Sequence, residues 1–145
     1  MKKLFLTGIG LLFSTAITFA QADTGKLPQS SQDFLKKHFS SEQVAKVEKN
    51  DSWYNWDKDE MYEVKLANGI KLDFNKNGEI TEIDSKEGFT IPLQALPQVI
   101  STYLEQNNLA DHVVSWEKED DGHEVQLADG RELEFDSAGK FLKED

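Results

Sequence analysis

The sequence predicts an α+β protein: two tandem helix-plus-antiparallel-strand repeats, with the helices on one face of an antiparallel sheet. Three observations lead there. The chain repeats itself, each copy opens on a helical apolar stripe, and each continues in short alternating segments punctuated by glycine turns.

The repeat comes first. Residues 62–84 read YEVKLANGIKLDFNKNGEITEID and residues 123–145 read HEVQLADGRELEFDSAGKFLKED, an ungapped match over 23 residues with nine identities. Upstream the match continues at another offset. Leu27-Pro28 pairs with Leu96-Pro97, Phe34-Leu35 with Tyr103-Leu104, and Val44, Val47, Glu48 and Lys49 with Val113, Trp116, Glu117 and Lys118. The offset falls from 69 to 61, so the first copy carries eight extra residues around positions 51–58. The repeats are expected at 27–84 and 96–145, joined by a connector at 85–95 that contains Gly88 and Pro92.

Each copy reads as a helix and then strands. Pro97 suits the first turn of a helix, where its missing N–H leaves no bond unmade. Leu96, Val99, Ile100, Tyr103 and Leu104 then recur at three- and four-residue spacing, which makes one apolar face. The first copy has a weaker stripe of Leu27, Phe34, Leu35 and Phe39. Three or four short strands follow in each copy. Apolar and polar residues alternate in 62–66, 70–74 and 131–135. Asn68-Gly69 and Asp129-Gly130 are expected as two-residue hairpin turns whose central residues both take positive φ. Asp120-Asp121-Gly122 reads as a further turn.

Alternation gives the sheet two unlike faces. Val64, Leu66, Leu72, Phe74, Val125, Leu127, Leu133 and Phe135 are expected to face the helices, each contributing about 1.5–3 kcal/mol when buried. Glu63, Lys65, Lys71, Asp73, Glu124, Gln126, Glu132 and Glu134 are expected on the other face. One reading is a solvated face, common in antiparallel sheets covered on one side. The other is a broad acidic binding surface.

The N-terminus reads as an address. Lys2 and Lys3 precede an apolar stretch and then the small residues Thr18, Ala20 and Ala22, the pattern of a cleavable signal peptide at 1–20. The apolar stretch is interrupted by Gly8 and Gly10, and falls short of the roughly 20 continuous apolar residues of a membrane span. Removing a leader with two of the 16 basic residues leaves 14 against 27 acidic ones, a net charge of −13. The expected product is periplasmic or secreted, with no membrane span after cleavage. Such an acidic chain lacks the clustered Lys and Arg that nucleic acid or an anionic membrane requires. The absence of cysteine excludes disulfides, thiolate metal sites, a cysteine nucleophile and a lipoprotein anchor.

The repeated unit has a recognisable form. It is Leu-Pro at a helix start, a Val-x-x-Val/Trp-Glu-Lys strand, then Glu-Val-x-Leu-Ala-Asn/Asp-Gly and Leu-x-Phe-Asn/Asp-x-x-Gly. With the lysine-led leader, it resembles the small periplasmic PepSY-like proteins of Bacteroides-type bacteria, whose tandem units share the architecture of the beta-lactamase inhibitor protein. The resemblance covers about residues 27–145. It implies one continuous antiparallel sheet of roughly eight strands and no catalytic site. Wider relatives include protease propeptides and proteins suspected of inhibiting or chaperoning peptidases. The resemblance supplies no binding residues to carry over, and the aromatic insertion departs from the repeat.

Chemistry is sparse in the sequence. Asp73, Asn75, Asn77 and Asp84, with Gly78 and Ile80, match a weak calcium-loop pattern. Against it, the twelfth position is Asp rather than the longer bidentate Glu, the flanks read as strands, and the second copy has Phe135, Ser137 and Ala138 there. The competing reading is a hairpin turn in which Asn75, Asn77 and Gly78 supply turn chemistry. His38, His112 and His123 lack the spacing of a zinc helix, and no Ser stands in a nucleophile elbow. No enzyme activity and no cofactor are expected. The insertion gathers Trp53, Tyr54 and Trp56 among charges, either stiffening a longer hairpin or projecting as interface anchors. These residues and the acidic face, Glu63, Lys65, Glu124, Glu132 and Glu134, are the expected contacts with another periplasmic or secreted protein. A small ligand or cation such as calcium, held on that acidic face, is the alternative.

Overall fold

The structure, a computed structural model, describes residues 22–50, 60–85 and 88–145. In the first repeat, α1 (Gln29–His38) is followed by β1 (Val44–Lys49), β2 (Glu60–Leu66), β3 (Ile70–Asn75) and β4 (Ile80–Ser85). In the second, α2 (Gln98–Gln106) is followed by β5 (Val113–Lys118), β6 (Gly122–Leu127), β7 (Glu132–Asp136) and β8 (Phe141–Glu144). The eight strands form one antiparallel meander in sequence order. The two repeats join where β4 pairs with β5, through Glu82 opposite Glu117, Ile83 opposite Trp116 and Asp84 opposite Ser115.

Each helix starts directly after a proline. Pro28 and Pro97 sit at the cap position, just before the first turn rather than within it, with φ of −53° and −54°. Leu35 in α1 and Ile100 and Leu104 in α2 then face the sheet. Their partners are the inward side chains of the strands, among them Val64, Leu72, Phe74, Ile83, Trp116, Val125, Leu133 and Phe135, all buried. The aromatic contacts repeat as well. Phe34 meets Phe74 edge-on at 5.8 Å, and its counterpart Tyr103 meets Phe135 edge-on at 5.4 Å.

Val99 departs from the expected helical stripe: it is 54% exposed. The buried sector of α2 is filled by Ile100 and Leu104, and Val99 falls to its side, above the turn at Gly139. Its counterpart Ser30 uses a hydroxyl instead, donating to the Asn77 carbonyl at 2.7 Å, while Ser31 donates to the Gly78 carbonyl at 3.1 Å.

The hairpin turns also correct the sequence reading. Gly69 and Gly130 have φ of +92° and +91°, but Asn68 and Asp129 are not left-handed. Lys65 stands opposite Lys71, β2 ends at Leu66 and β3 starts at Ile70, and the Gly69 N–H donates to the Leu66 carbonyl, so the loop is Ala67-Asn68-Gly69. This is the three-residue hairpin with a left-handed third residue, in place of the two-residue turn. The Asn68 side chain takes the Ile70 N–H, and Asp129 takes that of Arg131. Turns ending at Gly78 and Gly139 follow the same design, each closed by a bond to the carbonyl three residues back. Between β5 and β6, Gly122 lies in the strand rather than in the turn. A Cβ there would stand 2.1 Å from the Phe135 carbonyl oxygen.

Candidate functional site

Period-two alternation places one outward residue of each strand in a single line across the sheet. Glu48 opposes Glu63, Glu63 opposes Asp73, and Asp73 opposes Glu82. The line continues from Glu82 to Glu117, Glu124, Glu134 and finally Lys143. Seven neighbouring strands thus each contribute a carboxylate, and the last contributes an ammonium. Directly opposed like charges destabilise a sheet, so this line stands only with compensation.

A second outward line, two residues along each strand, differs between the repeats. In β1–β3 it is Lys46, Lys65 and Lys71. Lys46 lies 2.7 Å from Glu48, and Lys65 lies 2.8 Å from Glu63 and 3.5 Å from Glu48. In β4–β7 the same line is Asp84, Ser115, Gln126 and Glu132. The first repeat therefore alternates acid and base on this face, while the second concentrates acid. Partial burial and the negative charges of Glu132, Glu119 and Glu134 push the Glu124 carboxyl above its ordinary range.

At the centre the face is not solvated as the alternation suggests. Asp73 is only 3% exposed. Lys71 sits between two carboxylates, 2.8 Å from Asp73 Oδ2 and 3.0 Å from Glu82 Oε1. Burial opposes its charge, but the hydrogen bonds to Asp73 and Glu82 outweigh burial and hold Lys71 above the usual lysine range. Burial, reinforced by Glu82 and opposed by Lys71, pushes Asp73 up to about 6. Toward the β1–β2 end, Glu48, Glu63 and Asp73 line a cleft of about 270 Å³ with Lys49, Asn50, Met61 and Tyr62.

The expected site residues fall as follows. Glu63, Lys65, Glu124, Glu132 and Glu134 share the outer face, in two adjacent lines. Trp53, Tyr54 and Trp56 lie outside the described residues. Asp73, Asn75, Asn77 and Asp84 do not converge. Asn75 Oδ1 accepts the N–H groups of Asn77 and Glu79, which is turn chemistry, and Asp73 is held by Lys71. Among the described residues no group of three or more His, Asp or Glu side chains is arranged to hold a metal ion. Glu48, Glu82 and Glu117 complete the carboxylate line but were not singled out from sequence. Their signal was available: each neighbours an inward apolar residue, Val47, Ile83 or Trp116. Of the histidines, His38 packs on Phe34, and His123 stacks on Trp116 with burial lowering its affinity for a proton.

The fold and the face together define a tandem α+β protein with one sheet face covered by the described helices and one charged face. The chain belongs to the family described as "Putative beta-lactamase-inhibitor-like, PepSY-like", whose sequence model matches residues 17–59 and 60–143. Among solved structures, a Bacteroides vulgatus "putative periplasmic protein of unknown function" is 39% identical, with a TM-score of 0.67 over 85% of this chain and 94% of that one. A second "putative periplasmic protein" from B. vulgatus is 30% identical, with a TM-score of 0.69 over 83% and 91%. A "putative calcium-regulated periplasmic protein" from Bacteroides thetaiotaomicron is 31% identical, with a TM-score of 0.70 over 83% and 91%. No curated protein matches the chain. No described helix is long and apolar enough to cross a membrane.

Proposed function

We propose that this is an exported, non-catalytic binding protein that presents its outer sheet face to a basic surface of another envelope protein, in the manner of an inhibitor or escort. The observation that carries this reading is the carboxylate line from Glu48 to Glu134, left open because both described helices pack on the opposite face. Its acidic end, Glu124, Glu132 and Glu134, would steer a cationic partner, and charge complementarity of this kind sets encounter rate and orientation. Trp53, Tyr54 and Trp56, inserted between β1 and β2, would supply the apolar anchors that charge alone lacks. The family description and the periplasmic relatives support an exported protein of inhibitor type. A cleaved leader at residues 1–20 belongs to the same reading.

The test is affinity capture from a periplasmic extract. The mature protein is compared with a Trp53→Ala/Trp56→Ala variant of unchanged melting temperature. A partner retained by the native form and lost by the variant, and eluted by moderate salt, is the expected result. The same partner held equally by both removes the aromatic anchor from the proposal. A second reading, a small ligand or cation drawn to the acidic sheet face, is favoured by the raised proton affinity of Glu124 and by the relative described as calcium-regulated. It predicts a rise in melting temperature with calcium, by mass action. An unchanged melting temperature across calcium concentrations would remove it.

A further inference from the structure

Lys71 is one cation shared by two carboxylates. Its Nζ lies 2.8 Å from Asp73 Oδ2, and 3.0 and 3.1 Å from the two oxygens of Glu82. Asp73 and Glu82 oppose one another across β3 and β4, and both carboxyl groups reach the same Lys71 Nζ, which holds them close together. The side chains of Asp73, Lys71 and Glu82 are 5%, 16% and 18% exposed, so water screens this cluster weakly.

The residues that oppose the two acids across the sheet are themselves acidic, and Lys49 of β1 lines the same cleft as Asp73. Glu63 on β2 opposes Asp73, Glu117 on β5 opposes Glu82, and Asp84 on β4 opposes Lys71, all carboxylates. Lys65, across from Lys71, is drawn to Glu63 and Glu48 instead. Two ionised carboxylates on one buried ammonium leave a net negative charge in a poorly solvated place, which is unfavourable. Two carboxyl groups gathered on one ammonium relieve it by retaining one proton between them.

We propose that Asp73 and Glu82 share one exchangeable proton beneath Lys71, so that the centre of the outer face gains or loses one negative charge at this point. The site is a proton-binding device built into the β3–β4 hairpin, and it stands whether or not the face docks a partner. The upward displacement of Asp73 agrees with it. If the face does dock a basic surface, the bound proton weakens the attraction, because Asp73 also lines the cleft with Glu48 and Glu63.

The experiment is a carbon-13 carboxyl NMR titration of the mature protein over about pH 3–8, reading Asp73 Cγ and Glu82 Cδ. The expected result is a coupled pair in which one step comes about two pH units above that of a free carboxyl group. Both groups completing their titration in or below the ordinary range would overturn the proposal. In a Glu82→Gln variant, verified as folded by its amide spectrum, the Asp73 step should fall by about one pH unit or more, because Lys71 then serves one carboxylate. An Asp73 step that stays high in that variant would assign the displacement to burial alone and overturn the shared proton. The native titration decides the question even if the variant fails to fold.

Discussion

Lys71 in the first repeat and Lys143 in the second bridge carboxylates from opposite arms of equivalent hairpins. In the repeat alignment Lys71, Asp73, Glu82 and Asp84 correspond to Glu132, Glu134, Lys143 and Asp145. The charges of the first and third positions are exchanged. Lys143 lies 2.9 Å from Glu134 and also contacts Asp145. Geometry is thus similar, but surroundings are not. The side chain of Lys71 is 16% exposed and that of Lys143 54%. The cause is topological: β3 and β4 are interior strands, while β8 ends the sheet. The same ion pair therefore organises structure at the centre and only decorates the edge.

The largest expected effect follows from that difference. Lys71→Met leaves Asp73 and Glu82 facing each other without a cation. Breaking a buried pair in this way should cost about 3 kcal/mol in urea unfolding at neutral pH. A cost near zero would mean that the centre is as well solvated as the edge. Next come the turn glycines, both left-handed. At Gly78 a Cβ would stand 2.7 Å from the Pro28 Cβ and 2.2 Å from Ser30 Oγ; at Gly139 the nearest atom, Val99 Cβ, is 3.1 Å away. Gly139→Ala should cost about 1–2 kcal/mol, the strain of a left-handed residue with a Cβ, and Gly78→Ala clearly more. Equal losses would show that α1 yields to the turn as readily as α2.

A smaller effect appears in the pH dependence. Asp73 titrates at about 6 in the folded protein, against an ordinary 3.8. Between those values the folded state keeps a proton that the unfolded chain has released. For this group, stability therefore rises as pH falls from about 6 toward about 4, opposite in sign to a salt-bridged carboxylate of depressed pKa. Melting curves of native protein and Asp73→Asn should thus diverge in favour of the native form between about pH 7 and pH 5. A constant gap would contradict the assignment. The smallest effect is at the edge: Lys143→Met should leave the unfolding midpoint unchanged within error, as for most exposed ion pairs.

Much of this architecture was legible in the chain, because its two periodicities are carried by large residues. The pairs Leu72/Leu133 and Phe74/Phe135 mark inward positions in both copies, and all four are buried. The calcium pattern and the turn type were harder to resolve from sequence. Asn68-Gly69 fits a two-residue turn by composition, and only the pairing of Lys65 with Lys71 and the Gly69 bond to the Leu66 carbonyl show the third loop residue. Asp73 looked like any outward acid. Its ion pair with Lys71, which also reaches Glu82 on the next strand, is an arrangement that alternation does not encode. Val99 matched the helical stripe by spacing, yet the apolar sector of α2 is narrower than that spacing allows. The line from Glu48 to Glu134 required the register of seven strands, which no single segment contains.

The central claim is that the outer face acts through the concentrated acid of the second repeat. The most direct test is partner retention from envelope extract by two charge reversals, Glu124→Lys/Glu134→Lys in the second repeat and Glu48→Lys/Glu63→Lys in the first, each matched to native melting temperature. The account predicts at least about a tenfold loss of retention for the second-repeat pair, a smaller loss for the first, and a native interaction that weakens as salt rises. Undiminished, salt-independent retention by the second-repeat variant would contradict it.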